Sequence, residues 1–222
     1  MNTIAENIHR LKNQLGAKTR LIAVSKTKPK EDILEAYQAG QRAFGENYVQ
    51  ELTEKFELLP QDIEWHFIGH LQSNKVKYIA PFVSWIHAVE SEKLLLEINK
   101  QAAKQQRSIN CLLQVHIATE ESKFGFDLDE IMAFCDAFQF DTLPNARICG
   151  IMGMASFSDD EKLVRSEFKK LKTIFDTLKE KKFSDKEHFR ELSMGMSSDW
   201  KWAIEEGSTM VRVGSAIFGS RK

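Results

Sequence analysis

The stretch "LIAVSKTKPKEDILEAYQAG" (residues 21–40) joins an apolar run to a helical one through a lysine-rich turn. Its first part, "LIAVSK" (21–26), is short, apolar and partly β-branched, the pattern of a buried strand. "PKEDILEAYQAG" then reads as a helix. Pro29 sits near its first turn, where a missing N–H costs little, and Gly40 falls just past its end. Strand plus helix is one unit of a parallel sheet covered by helices. The fold therefore depends on how many such units follow.

Eight strands can be counted. After an opening amphipathic helix in "MNTIAENIHRLKNQLG", they are expected at "LIAVSK" (21–26), "AFGEN" (43–47), "WHFIG" (65–69), "WIHAV" (85–89), "CLLQVHI" (111–117), "ICGIMGM" (148–154), "FRELSMG" (189–195) and "MVRVGSAIF" (210–218). Segments with helical spacing or turn character separate them. Eight units close a barrel, whereas a doubly wound open sheet usually has fewer strands and a glycine-rich dinucleotide turn. Neither G-x-G-x-x-G nor a Walker loop is present. The expectation is an α/β fold, a single (β/α)8 TIM barrel with an extra N-terminal helix. At 222 residues it is lean against the typical ~250, so residues 1–222 are expected to form one domain.

The bulk composition narrows the function. Thirty-one Lys and Arg against 32 Asp and Glu leave a formal charge of −1, so no global field draws in nucleic acid or an anionic membrane. The basic run "KEKK" (179–182) lies on a polar helix and reads as a solvated face. Cys111, Cys135 and Cys149 are odd in number and widely spaced, which fits reduced core residues rather than a disulfide framework or a Cys-x-x-Cys metal site. There is no basic-then-apolar leader and no apolar run near the roughly 18 residues that span a bilayer, so a cytoplasmic protein is expected.

In a barrel, residues at the C-terminal ends of the strands face one pocket. Here these are Lys26, Asn47, the region of His70, His87, Met154, residues 193–198 and residues 212–215. Strand alternation puts Ile22, Val24 and Lys26 on one face and Leu21, Ala23 and Ser25 on the other. Lys26 can thus point into the barrel, while Lys28 and Lys30 fall in the loop before the helix. A desolvated lysine there can have a lowered pKa and form a Schiff base with a carbonyl.

The segment "SMGMSSDWKWAIEEGSTMVRVGSAIFG" adds a second signal. Strand seven ends at Ser193-Met194-Gly195, and Ser197, Ser198 and Asp199 offer caps for a helix that Gly207 ends. Strand eight runs into Val213-Gly214-Ser215-Ala216. Glycine permits close backbone approach, serine offers donors, and a helical turn there would point N–H groups at an anion. Barrels often hold phosphate with the loops after strands seven and eight. Arg212 shares a face with Met210 and Gly214, and a buried arginine requires a partner.

Other patterns carry less. In "GMSSD" the second glycine of a nucleophile elbow is replaced by Asp199. His66 and His70 are separated by Gly69 in a strand-like segment with no third ligand, so no metal site is expected. The pairs Met152/Met154 and Met194/Met196 alternate as core residues, with Met154 ending at the pocket. A lysine facing a phosphate cup permits a Schiff-base aldolase acting on a phosphosugar, or a protein that binds pyridoxal 5′-phosphate (PLP).

Five segments carry a family resemblance: "AVSKTKP" (23–29), "FGENYVQE" (44–51), "WHFIGHLQSNK" (65–75), "ELSMGMSSD" (191–199) and "GSTMVRVGSAIFG" (207–219). In these the chain resembles the pyridoxal phosphate homeostasis proteins, single-domain relatives of the alanine racemase N-terminal barrel. The resemblance implies PLP as cofactor, with Lys26 as the aldimine lysine, Asn47 beside the ring and Met154 at the pocket. It further implies that Ser193, Gly195, Ser197, Gly214 and Ser215 hold the phosphate and that Arg212 approaches the pyridine nitrogen. Arginine stays protonated and only donates, which leaves that nitrogen unprotonated and the cofactor a weak electron sink.

The racemases carry a second domain with a tyrosine base opposite the lysine. Here Tyr37, Tyr48 and Tyr78 fall in helical segments of the first half, and the chain stops at Lys222, four residues after the eighth strand. No catalytic residue is therefore assigned. The implied function is PLP binding in intracellular vitamin B6 homeostasis, buffering or delivering the cofactor without robust catalysis; the alternative is a PLP-dependent amino acid racemase-like enzyme. Expected partners are PLP and apo PLP-dependent enzymes, with neither nucleic acid nor membrane, and a monomer or weak dimer is expected.

Overall fold

The computed structural model describes residues 3–119 and 124–219. Its elements are α1 (Ile4–Leu15), β1 (Arg20–Val24), α2 (Lys30–Gln38), β2 (Ala43–Glu46), α3 (Val49–Leu58) and β3 (Glu64–Phe67), then a 3-10 turn leading into α4 (Val76–Ile79). There follow β4 (Trp85–Val89), α5 (Glu92–Lys104), β5 (Ile109–His116), α6 (Leu128–Ala137), β6 (Ala146–Met154), α7 (Glu161–Lys181), β7 (Glu191–Ser193), α8 (Trp200–Glu205), β8 (Met210–Val213) and α9 (Ser215–Phe218). The eight strands pair in parallel in chain order, and β8 returns to β1 to close the barrel. The expected (β/α)8 TIM barrel with an extra N-terminal helix is the fold observed.

Strand alternation separates two cores. Leu21, Ala23, Val211 and Val213 face outward and pack beneath helix residues such as Ile33, Leu94 and Phe168. A smaller apolar set inside the barrel comprises Trp85, Ala88, Leu112, Cys149, Met152 and Met210. Closure depends locally on Gly150. The β5–β6 ladder steps from Cys111↔Ile148 to Leu112↔Gly150, leaving Cys149 as the extra residue of a bulge. Gly150 has φ +154, and a Cβ there would lie 1.7 Å from the Glu191 carbonyl oxygen.

Several boundaries differ from expectation. β7 stops at Ser193 and β8 at Val213, and the residues read as the end of strand eight are the single helical turn α9. Short apolar runs do not distinguish strand from buried helix by composition. The extra helix α1 starts with a reciprocal capping box between Thr3 and Glu6, buries Ile8, Leu11 and Leu15, and ends at Gly16 with φ +68. Asn7 on α1 donates to the Ile217 carbonyl at 3.0 Å, bracing α9.

The cysteines are buried and free. Burial pushes the thiols of Cys135 and Cys149 up to about 12 and that of Cys111 higher, so all three are inert at neutral pH. No described helix is long and apolar enough to cross a membrane, and the described residues contain no His/Cys/Asp/Glu cluster able to hold a metal ion.

Candidate functional site

A cavity of about 560 Å³ opens where the C-terminal ends of the strands converge. β1 contributes Val24 and, just beyond it, Lys26 and Lys28; β2 is followed by Asn47 and β3 by Ile68. Met154 ends β6, Phe157 follows it, and the loop after β7 brings Met196, Ser197 and Ser198. β8 adds Arg212, Gly214 and Ser215, and Gly219 follows α9. Among the described residues the lining carries three basic side chains, Lys26, Lys28 and Arg212, and no carboxylate. In a chain of net charge −1 this is a local anion-attracting field.

The turn that presents Lys26 is gripped from below by a buried ionic cluster. Lys55 donates to the Ser25 carbonyl at 2.8 Å, to Glu46 Oε1 at 2.7 Å and to Glu51 Oε1 at 2.6 Å. Ser25 Oγ donates to the same Glu46 oxygen at 2.7 Å, and the Thr27 N–H donates to Glu51 at 2.6 Å. Thr27 has φ +64, a conformation that costs a non-glycine residue about 1 kcal/mol, so the bond to Glu51 stabilises a strained turn. Both neighbours of Lys26 are thereby held. Lys28 is engaged elsewhere, its ammonium donating to the carbonyls of Phe218 and Gly219 at 3.0 and 3.3 Å. Lys30, the first residue of α2, is exposed and does not line the cavity.

The flanking walls are built from close backbone approaches. A Cβ on Gly214 would lie 3.2 Å from the Val24 carbonyl, and the Gly214 N–H donates to Ser197 Oγ at 3.1 Å. A Cβ on Gly69 would lie 2.5 Å from the Asn47 carbonyl, so that glycine lets the segment after β3 pack against Asn47. Asn47 Oδ1 is buried without a hydrogen-bond partner among the described residues. Asp199 does not cap α8 with its side chain; instead its carboxylate accepts the Met196 N–H at 2.6 Å and closes the 196–199 turn.

Arg212 forms the floor. Only 4% exposed, it donates from Nη1 to Ser193 Oγ at 2.6 Å and from Nη2 to the Gly153 carbonyl at 3.0 Å. Burial lowers its pKa to about 10, against the opposing pull of Asp199, and it remains a cation at neutral pH.

Lys26, Asn47, Met154, Ser197, Arg212, Gly214 and Ser215 are thus brought together as expected from the strand ends. Ser193 and Gly195 are not. Ser193 is fully buried beneath Arg212, while Gly195, at φ +95, packs on Ala203 and Trp200. His87 lies inside the barrel, fully buried, rather than at the mouth. His70 is partly exposed, paired with Glu90 at 2.8 Å, and outside the lining. Sequence reading missed Ile68, Phe157 and Gly219, and also the cluster of Glu46, Glu51 and Lys55. The i,i+4 spacing of Glu51 and Lys55 is visible in the sequence, but the same spacing marks ordinary solvated helix pairs.

A family model described as alanine racemase, N-terminal domain, matches residues 1–222. A pyridoxal phosphate homeostasis protein of Pasteurella multocida is 43% identical over 205 residues, covering 91% of this chain and 86% of that one. The solved structure of PipY from Synechococcus elongatus PCC7942, with PLP bound, is 37% identical with a TM-score of 0.88, covering 98% of this chain and 100% of that one. Alanine racemase from Bartonella henselae shares the fold at 18% identity and TM-score 0.70; 98% of this chain aligns with only 58% of that enzyme.

Proposed function

This chain belongs to the alanine racemase N-terminal domain family, and from that premise we propose that it binds PLP at the barrel mouth and serves intracellular vitamin B6 homeostasis. In this role it buffers or delivers the cofactor without robust catalysis, as a single cytoplasmic PLP-binding barrel serving apo PLP-dependent enzymes. The observation that carries the proposal is the composition of the cavity: Lys26, Lys28 and Arg212 without a carboxylate among the described residues, in a volume of about 560 Å³. A phosphorylated aldehyde needs an amine, an anion site and room for a flat ring.

The residues present fit that group. Asn47 brings to the wall a buried oxygen without a hydrogen-bond partner among the described residues, and a Cβ on Gly214 would press to 3.2 Å of the Val24 carbonyl. Lys26, which lies just beyond β1 in the cavity lining, would supply the amine that tethers PLP. Ser197, Gly214 and Ser215 would hold the phosphate, Met154 would line the pocket and Arg212 would approach the ring nitrogen. When bound, PLP supplies a reactive aldehyde and an electron-withdrawing ring. Arg212 can only donate to that ring, which restrains its electron-accepting power.

Low turnover is supported by what surrounds Lys26. Tyr37, Tyr48 and Tyr78 do not line the cavity, and Tyr37 instead donates to Asp62 at 2.7 Å. Racemisation needs an acid/base on each face of the substrate, and the described lining offers no second group suited to it beside Lys26.

Titration of the protein with PLP, followed by visible absorption, tests the reading. A new band is expected, abolished by Lys26→Ala and retained in Lys28→Ala; its absence in the wild type would sink PLP binding. Incubating the loaded protein with single-enantiomer amino acids tests the second half, and racemisation well above that of free PLP would overturn the carrier role.

A further inference from the structure

Inside the barrel, below Arg212, the polar side chains form a continuous column. Arg212 Nη1 lies 2.6 Å from Ser193 Oγ, Ser193 Oγ 3.1 Å from His87 Nδ1, and His87 Nε2 2.9 Å from His66 Nδ1. His66 Nε2 then faces Glu64 Oε1 at 3.5 Å without a hydrogen bond between them, and that oxygen accepts from Trp85 Nε1 at 2.6 Å. Ser193, His87 and His66 are completely buried. The other carboxylate oxygen of Glu64 meets Arg20 at the strand starts.

The direction of every proton follows from Arg212. A guanidinium has no acceptor, so Arg212 donates and Ser193 Oγ accepts. Ser193 Oγ has no other hydrogen-bond partner among the described residues, so its single hydroxyl proton finds its acceptor at His87 Nδ1, the bare nitrogen of a neutral ring. His87 therefore carries its proton on Nε2 and donates to His66 Nδ1. By the same rule His66 carries its proton on Nε2, facing Glu64. Burial holds both imidazoles below their ordinary range, and the nearby cations Arg212 and Arg20 push His87 the same way. All the protons point away from the cavity, toward the starts of the strands.

We propose that His66, His87 and Ser193 are positioning residues that orient Arg212 for bound PLP, and that Ser193 is not a phosphate ligand. The column rests on the PLP reading only in its last step. With Nη1 held by Ser193 and Nη2 by the Gly153 carbonyl, the guanidinium plane has two anchors and does not swing with the ligand. Affinity is gained by such preorganisation, because the ordering cost is met in the empty site.

The test has two arms. In apo protein carrying 15N-labelled histidine, nitrogen NMR at neutral pH is expected to show His66 and His87 neutral, with the proton on Nε2 in each; Nδ1–H or a doubly protonated ring at either position overturns the column. In the second arm, Ser193→Ala is expected to shift the His87 Nδ1 resonance and weaken PLP binding by about tenfold, the scale of one lost hydrogen bond to a charged group. Ser193→Thr, which keeps the hydroxyl, is expected to restore affinity. Unchanged affinity in Ser193→Ala overturns the positioning role. Failure of the wild type to bind PLP overturns the parent reading and the orienting role together, and is recognised because it precedes any substitution. Should Ser193→Ala fail to fold, the wild-type tautomers still decide the column.

Discussion

Replacing Lys55 with methionine removes one ammonium and leaves a carboxylate, Glu46, without a counter-ion in a site where its side chain is 0% exposed. Lys55 itself is 9% exposed and makes three hydrogen bonds of 2.6–2.8 Å. Removing one partner of a buried pair costs about 3–5 kcal/mol, chiefly through the charge left behind. The gain from burying the methionine thioether is smaller, about 1 kcal/mol. The expected loss is therefore about 3 kcal/mol, within the 5–15 kcal/mol of a typical domain, so the variant should still fold.

Urea unfolding at pH 7 measures this, with the denaturant slope checked for two-state behaviour. The pH dependence gives an internal control. Burial raises the Glu46 carboxyl above 4.5 in the wild type, with Lys55 opposing; without Lys55 it rises further. The folded variant then keeps a proton that the unfolded chain has released, so stability is lost as pH rises through the folded pKa. Between pH 7 and 4.5 the variant's deficit should shrink as pH falls, by at most about 1.4 kcal/mol per unit. Adding Glu46→Gln to Lys55→Met should recover most of the loss, as coupled neighbours do. A loss below about 1 kcal/mol at pH 7, or a deficit that grows on acidification, would refute the reasoning.

Two further outcomes follow from the same contacts. Burial holds His66 and His87 below their ordinary range, so below about pH 6.5 the unfolded chain takes up protons more readily than the folded chain. The stability of the wild type relative to His87→Gln should accordingly fall as pH drops from 7 to 5.5, by up to about 1.4 kcal/mol per unit, and parallel melting curves across that range would contradict it. At the mouth, Ser215→Asp adds a carboxylate to a lining whose described residues have none and should weaken PLP binding about fivefold or more, the ~1 kcal/mol of one like-charge pair about 4 Å apart in water. Isothermal titration measures this, and wild-type affinity would remove Ser215 from the site.

The barrel was legible because its signal is local and repeated. Alternation in residues 21–26 put Ile22 and Val24 on the inner face and Leu21 and Ala23 beneath the helices, and the same rule placed Met210 and Arg212 inside. It also brought Lys26 and Gly214 to one mouth. The same rule misjudged ends. Alternation does not say where a strand stops, so Ser215 to Phe218 read as strand although they form a helical turn. Asp199 read as a helix cap because capping residues and turn-closing residues are the same types, and only the fold directed its carboxylate to Met196.

By itself the sequence determined the eightfold strand count, the inward faces of β1 and β8, and Lys26, Asn47 and Gly214 among the residues that reach the mouth, all properties of a periodicity a few residues long. Only the tertiary structure decided what those side chains meet. Ser193 and His87 are 106 residues apart, His87 and His66 are 21 apart, and Lys55 reaches back 30 residues to the Ser25 carbonyl. Closing the barrel brings these groups within hydrogen-bond distance, and the low dielectric of its interior turns their protonation and orientation into properties of the whole sheet.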